Sequence, residues 1–230
     1  MIDINGTTRV CGLIGNPVGH SISPVIHNSL ARLMDMNMVY TTFKVEKGDV
    51  VTAVNGAYAL NILGLNVTVP HKQAVMESLV DIEPLAKAIG AVNTLVRTDK
   101  GYKGYNTDIL GLERELIDEG VVLLGSRCVI LGAGGAARAI AFLCAKSGAK
   151  EIYMLNRTKE KAYDIAKAVN DYFGKECIKP MLISEYDKLE ADDYVVIQTT
   201  SVGLYPNVDD VVIDDEAFYK KVKVGVDIIY

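Results

Sequence analysis

The 230-residue chain is poor in the residues that build metal centres and disulfide frameworks, with three histidines and four cysteines. His20, His27 and His71 are few and dispersed, and Cys11, Cys128, Cys144 and Cys177 follow no metal-ligand spacing. No metal is expected, and the cysteines read as reduced, mostly buried thiols. A basic excess is missing too. Twenty-four Lys and Arg stand against 29 Asp and Glu, for a formal net charge of −5, and no charge run or basic-aromatic interleaving offers a footprint for nucleic acid. No apolar stretch approaches the length of a membrane span, and Met1-Ile2-Asp3-Ile4-Asn5 lacks the basic start of a signal peptide. The expected location is the cytoplasm. Internal repeats and low-complexity segments are also lacking. What is there is a globular balance, 50% hydrophobic and 23% charged, in a chain long enough for one large or two small domains.

Apolar runs alternate with helical patterns. Arg9–Gly15 reads as a strand ending at Asn16-Pro17, Pro24–Met34 as a helix, Tyr40–Val45 as a strand and Val50–Ala59 as a helix. Gly64–Pro70 is a further strand, and Lys72–Leu79 looks like the start of a helix. Ala88–Val96 passes from helix end into strand, turns at Asp99-Lys100-Gly101 and returns through Tyr105. This alternation predicts mainly parallel sheets. A helix over Asp108–Glu119 bridges to the second half, so the boundary is placed at Asp108, giving domains 1–108 and 109–230. The second half continues with a helix over Lys159–Phe173, the strand Tyr194–Gln198 and a last strand from Val224 to Tyr230. A doubly wound sheet ordinarily continues past such a strand into another crossover, so the second domain reads as incomplete at its C-terminal end.

Between Val129 and Leu143 an apolar strand breaks at Gly132-Ala133-Gly134-Gly135-Ala136 and resumes as a helix, the layout that holds a dinucleotide diphosphate. Gly132 permits the turn, Gly134 lets backbone approach phosphate, and small Ala137 lets the helix pack closely on the strand. The following strand, Glu151–Leu155, leads to Asn156-Arg157-Thr158, where an NAD site would carry an acid for the ribose 2′-hydroxyl. Arg157 instead suits a 2′-phosphate, and Lys161, one turn further on, adds a second cation. The cofactor implied is NADP.

Three polar clusters interrupt the first half near strand ends, where ligands of open α/β sheets gather. Ser21-Ile22-Ser23 offers two hydroxyls to a carboxylate or hydroxylated ring, or serves to cap a helix. Asn66 and Thr68 share one strand face, with Lys72 following at an expected helix start, where the dipole disfavours a cation. Asn93-Thr94 and Asn106-Thr107-Asp108 form the third cluster. An aspartate close to Lys72 would orient its ammonium and tune its proton exchange, though either residue singly also reads as a solvated charge.

Taken together, Ser21-Ile22-Ser23-Pro24, Asn66 through Lys72, Gly90-Ala91-Val92-Asn93-Thr94, Asn106-Thr107-Asp108, Gly132 to Arg138, Asn156-Arg157-Thr158 and Thr200-Ser201-Val202-Gly203 resemble the ordered motifs of the shikimate dehydrogenases. The resemblance implies two α/β domains, an N-terminal substrate-binding domain and a C-terminal Rossmann-like NADP-binding domain, with an active-site cleft between them. It implies reversible NADP-dependent reduction of 3-dehydroshikimate to shikimate in aromatic amino-acid biosynthesis. By matching motif, Lys72 and Asp108 would be the catalytic pair, Ser21 and Ser23 would bind the carboxylate, and Asn66, Thr68, Asn93 and Asp108 the ring hydroxyls. Tyr230 would reach the substrate, and Thr200, Ser201 and Gly203 would line the nicotinamide side. Family members continue beyond the tyrosine with a segment that these residues do not include. The alternatives are a quinate/shikimate dehydrogenase of mixed cofactor use and a catalytically silent NADP-binding homologue. The partners expected are a small-molecule substrate, with neither nucleic acid nor membrane, and a homodimer is left open.

Overall fold

A computed structural model describes residues 4–228, which divide into two compact units, Met1–Thr107 and Asp108–Tyr230. The division falls one residue before the boundary read from the sequence.

The first unit runs β1 (Arg9–Gly15), α1 (Ser23–Leu33), β2 (Met38–Lys44), α2 (Val50–Ala59), β3 (Gly64–Val67), β4 (Asp81–Ile82), α3 (Pro84–Ile89), β5 (Thr94–Thr98) and β6 (Gly101–Tyr105). Its sheet has the order β2-β1-β3-β5-β6-β4. Helical crossovers make β1 parallel to both β2 and β3. β4 is parallel to β6 as well, so most pairings are parallel as read from the sequence, and the antiparallel ones centre on β5, where the expected tight turn at Asp99-Lys100 reverses the chain. β5 runs antiparallel to β6 across that turn and antiparallel to β3 on its other side. The period of two sends neighbouring residues of β1 to opposite faces. Leu13 joins Ala31, Met38 and Tyr40 on one side, while Ile14 joins Val54, Leu65, Val67 and Tyr102 on the other.

The second unit runs α4 (Asp108–Asp118), β7 (Arg127–Leu131), α5 (Gly135–Lys146), β8 (Glu151–Asn156), α6 (Lys159–Phe173), β9 (Ile178–Leu182), β10 (Tyr194–Gln198), α7 (Glu216–Tyr219) and β11 (Val222–Asp227). Its strands lie in the order β11-β10-β7-β8-β9, every pairing parallel. Consecutive Cys128, Val129 and Ile130 are all fully buried, as expected of a central strand covered on both faces. Sequence reading passes over β9 because it contains Pro180. The strand is an edge that pairs only with β8, so the missing N–H is tolerated. The strand expected to run to Tyr230 stops at Asp227, since its partner β10 ends at Gln198, the residue opposite. Tyr230 lies outside the described residues. The four cysteines are free thiols, Cys128 and Cys144 buried and Cys11 and Cys177 partly so. Among the described residues no helix is long and apolar enough to cross a membrane.

Candidate active site

In the second unit β7 is flanked by β8 on one side and β10 on the other, so the crossovers leave it in opposite directions and open a crevice at the strand ends. A cavity of about 660 Å³ lies there, lined by Gly132, Ala133 and Gly134 after β7, by Asn156, Arg157, Thr158 and Lys161 after β8, and by Thr199, Thr200, Ser201 and Val202 after β10. Gly132 has φ of +110°, and a Cβ on it would stand 2.7 Å from Thr199 Oγ1 and 2.9 Å from Thr200 Cγ2. Two independent reasons thus require glycine. Gly134, the N-cap of α5, is extended, and a Cβ there would meet no protein atom within 4 Å. Without a side chain there, the free N–H groups of the first turn stay open to the crevice. Ala137 is fully buried against the sheet.

The cations on the rim are exposed. The turn that carries Arg157 is clamped by Asn156, whose Nδ2 donates to the Thr158 carbonyl at 2.9 Å. Arg157 and Lys161 make no hydrogen bond or ion pair with other described residues. A glycine cradle, a helix N-terminus and two available cations fit a dinucleotide bearing an extra ribose phosphate. Of the expected cofactor residues, Gly135, Ala136 and Gly203 do not line the cavity. Gly135 and Ala136 form the exposed first turn of α5, and Gly203 takes φ of +90° in the loop after β10. Sequence reading missed Ile183, Thr199, Val202, Asp210, Val211 and Val212 on the cavity wall. Thr199, next to the expected Thr200, and Val202, inside the same Thr200–Gly203 motif, were the legible ones among them. The others come from loops whose return to the cavity depends on the fold.

The polar residues of the first unit form a connected set. Asn66 of β3 lies opposite Thr94 of β5 in register. Its Oδ1 accepts from the Tyr40 hydroxyl at 2.8 Å, and its Nδ2 donates to Thr94 Oγ1 at 3.3 Å and to the Asn93 carbonyl at 3.5 Å. Thr94 donates in turn to Asn93 Oδ1 at 2.9 Å, which also accepts from Thr107 N–H at 2.9 Å and the Thr107 hydroxyl at 3.1 Å. Asn106 Nδ2 donates to the Ala91 carbonyl at 3.1 Å. Asn93 and Asn106 are buried, and their hydrogen bonds meet the requirement that buried polar groups have partners. Tyr40, missed in the sequence, is nearly fully buried, and burial pushes its phenol up to about 12, so it remains a donor at any working pH.

Lys72 does not start a helix. Thr68, Val69 and Pro70 lie beyond the end of β3, and Lys72 occupies the turn that precedes a short 3-10 helix, Ala74–Ser78. Proline and the buried His71 explain the difference. His71 Nε2 donates to the Val45 carbonyl at 2.8 Å, and that contact holds the chain in a turn. The dipole argument for Lys72 therefore lapses. Its backbone is fixed instead by the N–H of Val92, which donates to the Lys72 carbonyl at 2.8 Å and sets Lys72 beside the Asn93 strand start. Thr68 is half-buried, and its N–H donates to the Ile14 carbonyl at 3.0 Å. Ser21 and Ser23 approach each other at 3.1 Å, and Ser21 Oγ accepts the Ser23 N–H at 3.2 Å. They do not cap α1 in the usual way, since its N-cap is Ile22, without a side-chain bond. Asp108, exposed, is the first residue of α4 and follows directly on the anchored Thr107.

Residues 13–95 match the family model described as the shikimate dehydrogenase substrate binding domain, and residues 116–228 match that of shikimate / quinate 5-dehydrogenase. A shikimate dehydrogenase (NADP(+)) of Desulforamulus reducens is 43% identical over 210 residues, 90% of this chain and 72% of the relative. Its counterpart from Methanothermobacter thermautotrophicus is 44% identical over 207 residues, with the same shares covered. Among solved structures, a shikimate dehydrogenase in complex with NADP+ superposes with a TM-score of 0.83 at 36% identity, over 97% of this chain and 85% of that one. A shikimate 5-dehydrogenase from Listeria monocytogenes, in complex with shikimate and NAD, gives 0.86 at 31% identity, over 95% and 77%.

Proposed function

The chain belongs to the shikimate dehydrogenase family, and from that premise we infer how its residues divide the work of NADP-dependent interconversion of 3-dehydroshikimate and shikimate. The enzyme is an NADP-dependent oxidoreductase acting on a CH–OH group, placed in aromatic amino-acid biosynthesis. The pocket at the ends of β7, β8 and β10 takes the cofactor, with Gly132 to Gly134 and the start of α5 on the diphosphate and Arg157 and Lys161 on the 2′-phosphate. The observation that carries this reading is the presence of two exposed cations, free of protein partners, on the rim of the glycine cradle.

When bound, NADPH supplies the hydride that reduces the ketone carbon. The chain itself handles the substrate and the proton. Lys72 stabilises the negative charge developing on the ketone oxygen and provides its proton. Asp108 is the second ionisable residue assigned to the reaction, its carboxylate accepting from a ring hydroxyl. Asn66, Thr68 and Asn93 hold further hydroxyls, and Ser21 and Ser23 donate to the substrate carboxylate. Hydroxyl and amide groups suit the uncharged hydroxyls of the ring because each can donate and accept, so the missing match of a wrong ring leaves a buried polar group unpaired. A homodimer stays open in this reading, to be decided by light scattering of the purified protein.

The decisive assay follows reduced-cofactor absorbance with shikimate and NADP+, then with NAD+, then with quinate and each cofactor. Turnover chiefly with shikimate and NADP+ is expected. NADP+ binding without turnover would identify a silent homologue instead, and faster turnover of quinate would reassign the ring specificity.

A further inference from the structure

Resting on the reading that Asn66 receives a ring hydroxyl, we propose that Tyr40 is a positioning residue that sets which end of the Asn66 carboxamide faces the substrate. A carboxamide turned by 180° occupies the same space but exchanges donor for acceptor, so its shape alone cannot hold it in one sense. Two groups here do. The Tyr40 hydroxyl donates to Oδ1 at 2.8 Å, and the Asn93 carbonyl, which can only accept, stands 3.5 Å from Nδ2. Thr94 gives little preference of its own, since a hydroxyl can donate or accept. Of the direction-giving contacts, the Tyr40 bond is the shorter and therefore the stronger.

Tyr40 is itself held from three directions. It lies on β2, the edge of the sheet, whose outward backbone groups would otherwise be open. Asn28 of α1 closes both of them, its Oδ1 accepting the Tyr40 N–H at 2.9 Å and its Nδ2 donating to the Tyr40 carbonyl at 2.8 Å. His27 stacks on the phenol ring with centroids 4.2 Å apart and planes 15° from parallel. Helix α1, which begins with Ser23, thus holds the residue that orients Asn66. Donation then runs in one sense from Tyr40 through Asn66 and Thr94 to Asn93, so each member polarises the next.

Tyr40→Phe keeps the ring and its stack and removes only the donor. We expect the KM for shikimate to rise by about tenfold while kcat changes by less than about threefold and the KM for NADP+ stays put. A merely structural loss would move all three together. In an Asn66→Ala background the same change should leave the KM for shikimate unaltered, because no carboxamide is left to orient. If Asn66→Ala raises this KM and Tyr40→Phe does not, the proposal is overturned while the role of Asn66 stands. Equal effects of Tyr40→Phe with and without Asn66 would overturn it as well. A silent Asn66→Ala would remove both the proposal and the substrate contact on which it rests.

Discussion

In the first unit Tyr40, Asn66, Thr94, Asn93 and Thr107 satisfy one another's hydrogen-bonding capacity, whereas in the second Arg157 and Lys161 face outward without a protein partner. On the proposed assignment, the contrast matches what each region would bind. A ring with several uncharged hydroxyls is distinguished by the direction of each hydrogen bond, so the groups that meet it must be locked before it arrives. A phosphate is attracted by net charge from many approach angles, and an exposed cation pays little desolvation while it waits. Under the proposed function, rigidity would serve ring selection and uncompensated charge would serve cofactor selection.

The largest expected effect breaks chemistry in the first unit without touching the second. Lys72→Ala should lower kcat by roughly 10²–10⁴, leaving NADP+ affinity within about twofold. Pre-steady-state and steady-state rates beside a cofactor titration would check this, and a rate near that of the parent would remove Lys72 from the mechanism. Next is a purely steric test of the second unit. Gly132→Ala forces a side chain onto φ of +110° and against Thr199, and should cost roughly 1–3 kcal/mol of stability in denaturant titration, with loss of cofactor binding. Normal binding in a stable variant would show that the loop after β10 yields.

Arg157→Ala sharpens the electrostatic half of the comparison. We expect preference for NADP+ over NAD+ to fall by roughly tenfold or more, and the salt dependence of NADP+ binding to weaken. An unchanged preference ratio would assign the 2′-phosphate to other residues. The smallest effect concerns Glu185, near the cavity-lining Ile183. Its carboxyl is held at about 2 by hydrogen bonds from Lys188 and from the Leu182 N–H, below the ordinary carboxylate range. An acid depressed in the folded state stabilises above its unfolded value and loses that contribution as pH falls toward about 2. Glu185→Gln should lower stability modestly at neutral pH, flatten the acid limb between pH 4.5 and about 2, and converge on the parent near pH 2, as thermal melts across that range would reveal.

Local chemistry made much of this protein legible. The helices Val50–Ala59 and Lys159–Phe173, the central strands, and the glycine turn with Arg157 all follow from patterns a few residues long, because periodicity, glycine φ and side-chain charge act at short range. The failures have an equally definite cause. The local pattern places Lys72 at a helix start, but the contact of His71 with Val45, 26 residues away, holds a turn there. The short strand β9 was hidden because Pro180 is tolerable only on an edge, and edge status belongs to the sheet order.

From its own residues, then, the chain determined which elements form, where the cofactor turn lies and which cofactor charge it suits. Tertiary structure alone decided that Tyr40 meets Asn66 across 26 positions, that Asn93 gathers Thr94 and Thr107, and that Ile183 and Asp210 to Val212 return to the pocket. Such contacts leave no mark in local pattern, since a hydrogen bond between distant side chains depends on strand order and register, which many separated segments fix jointly.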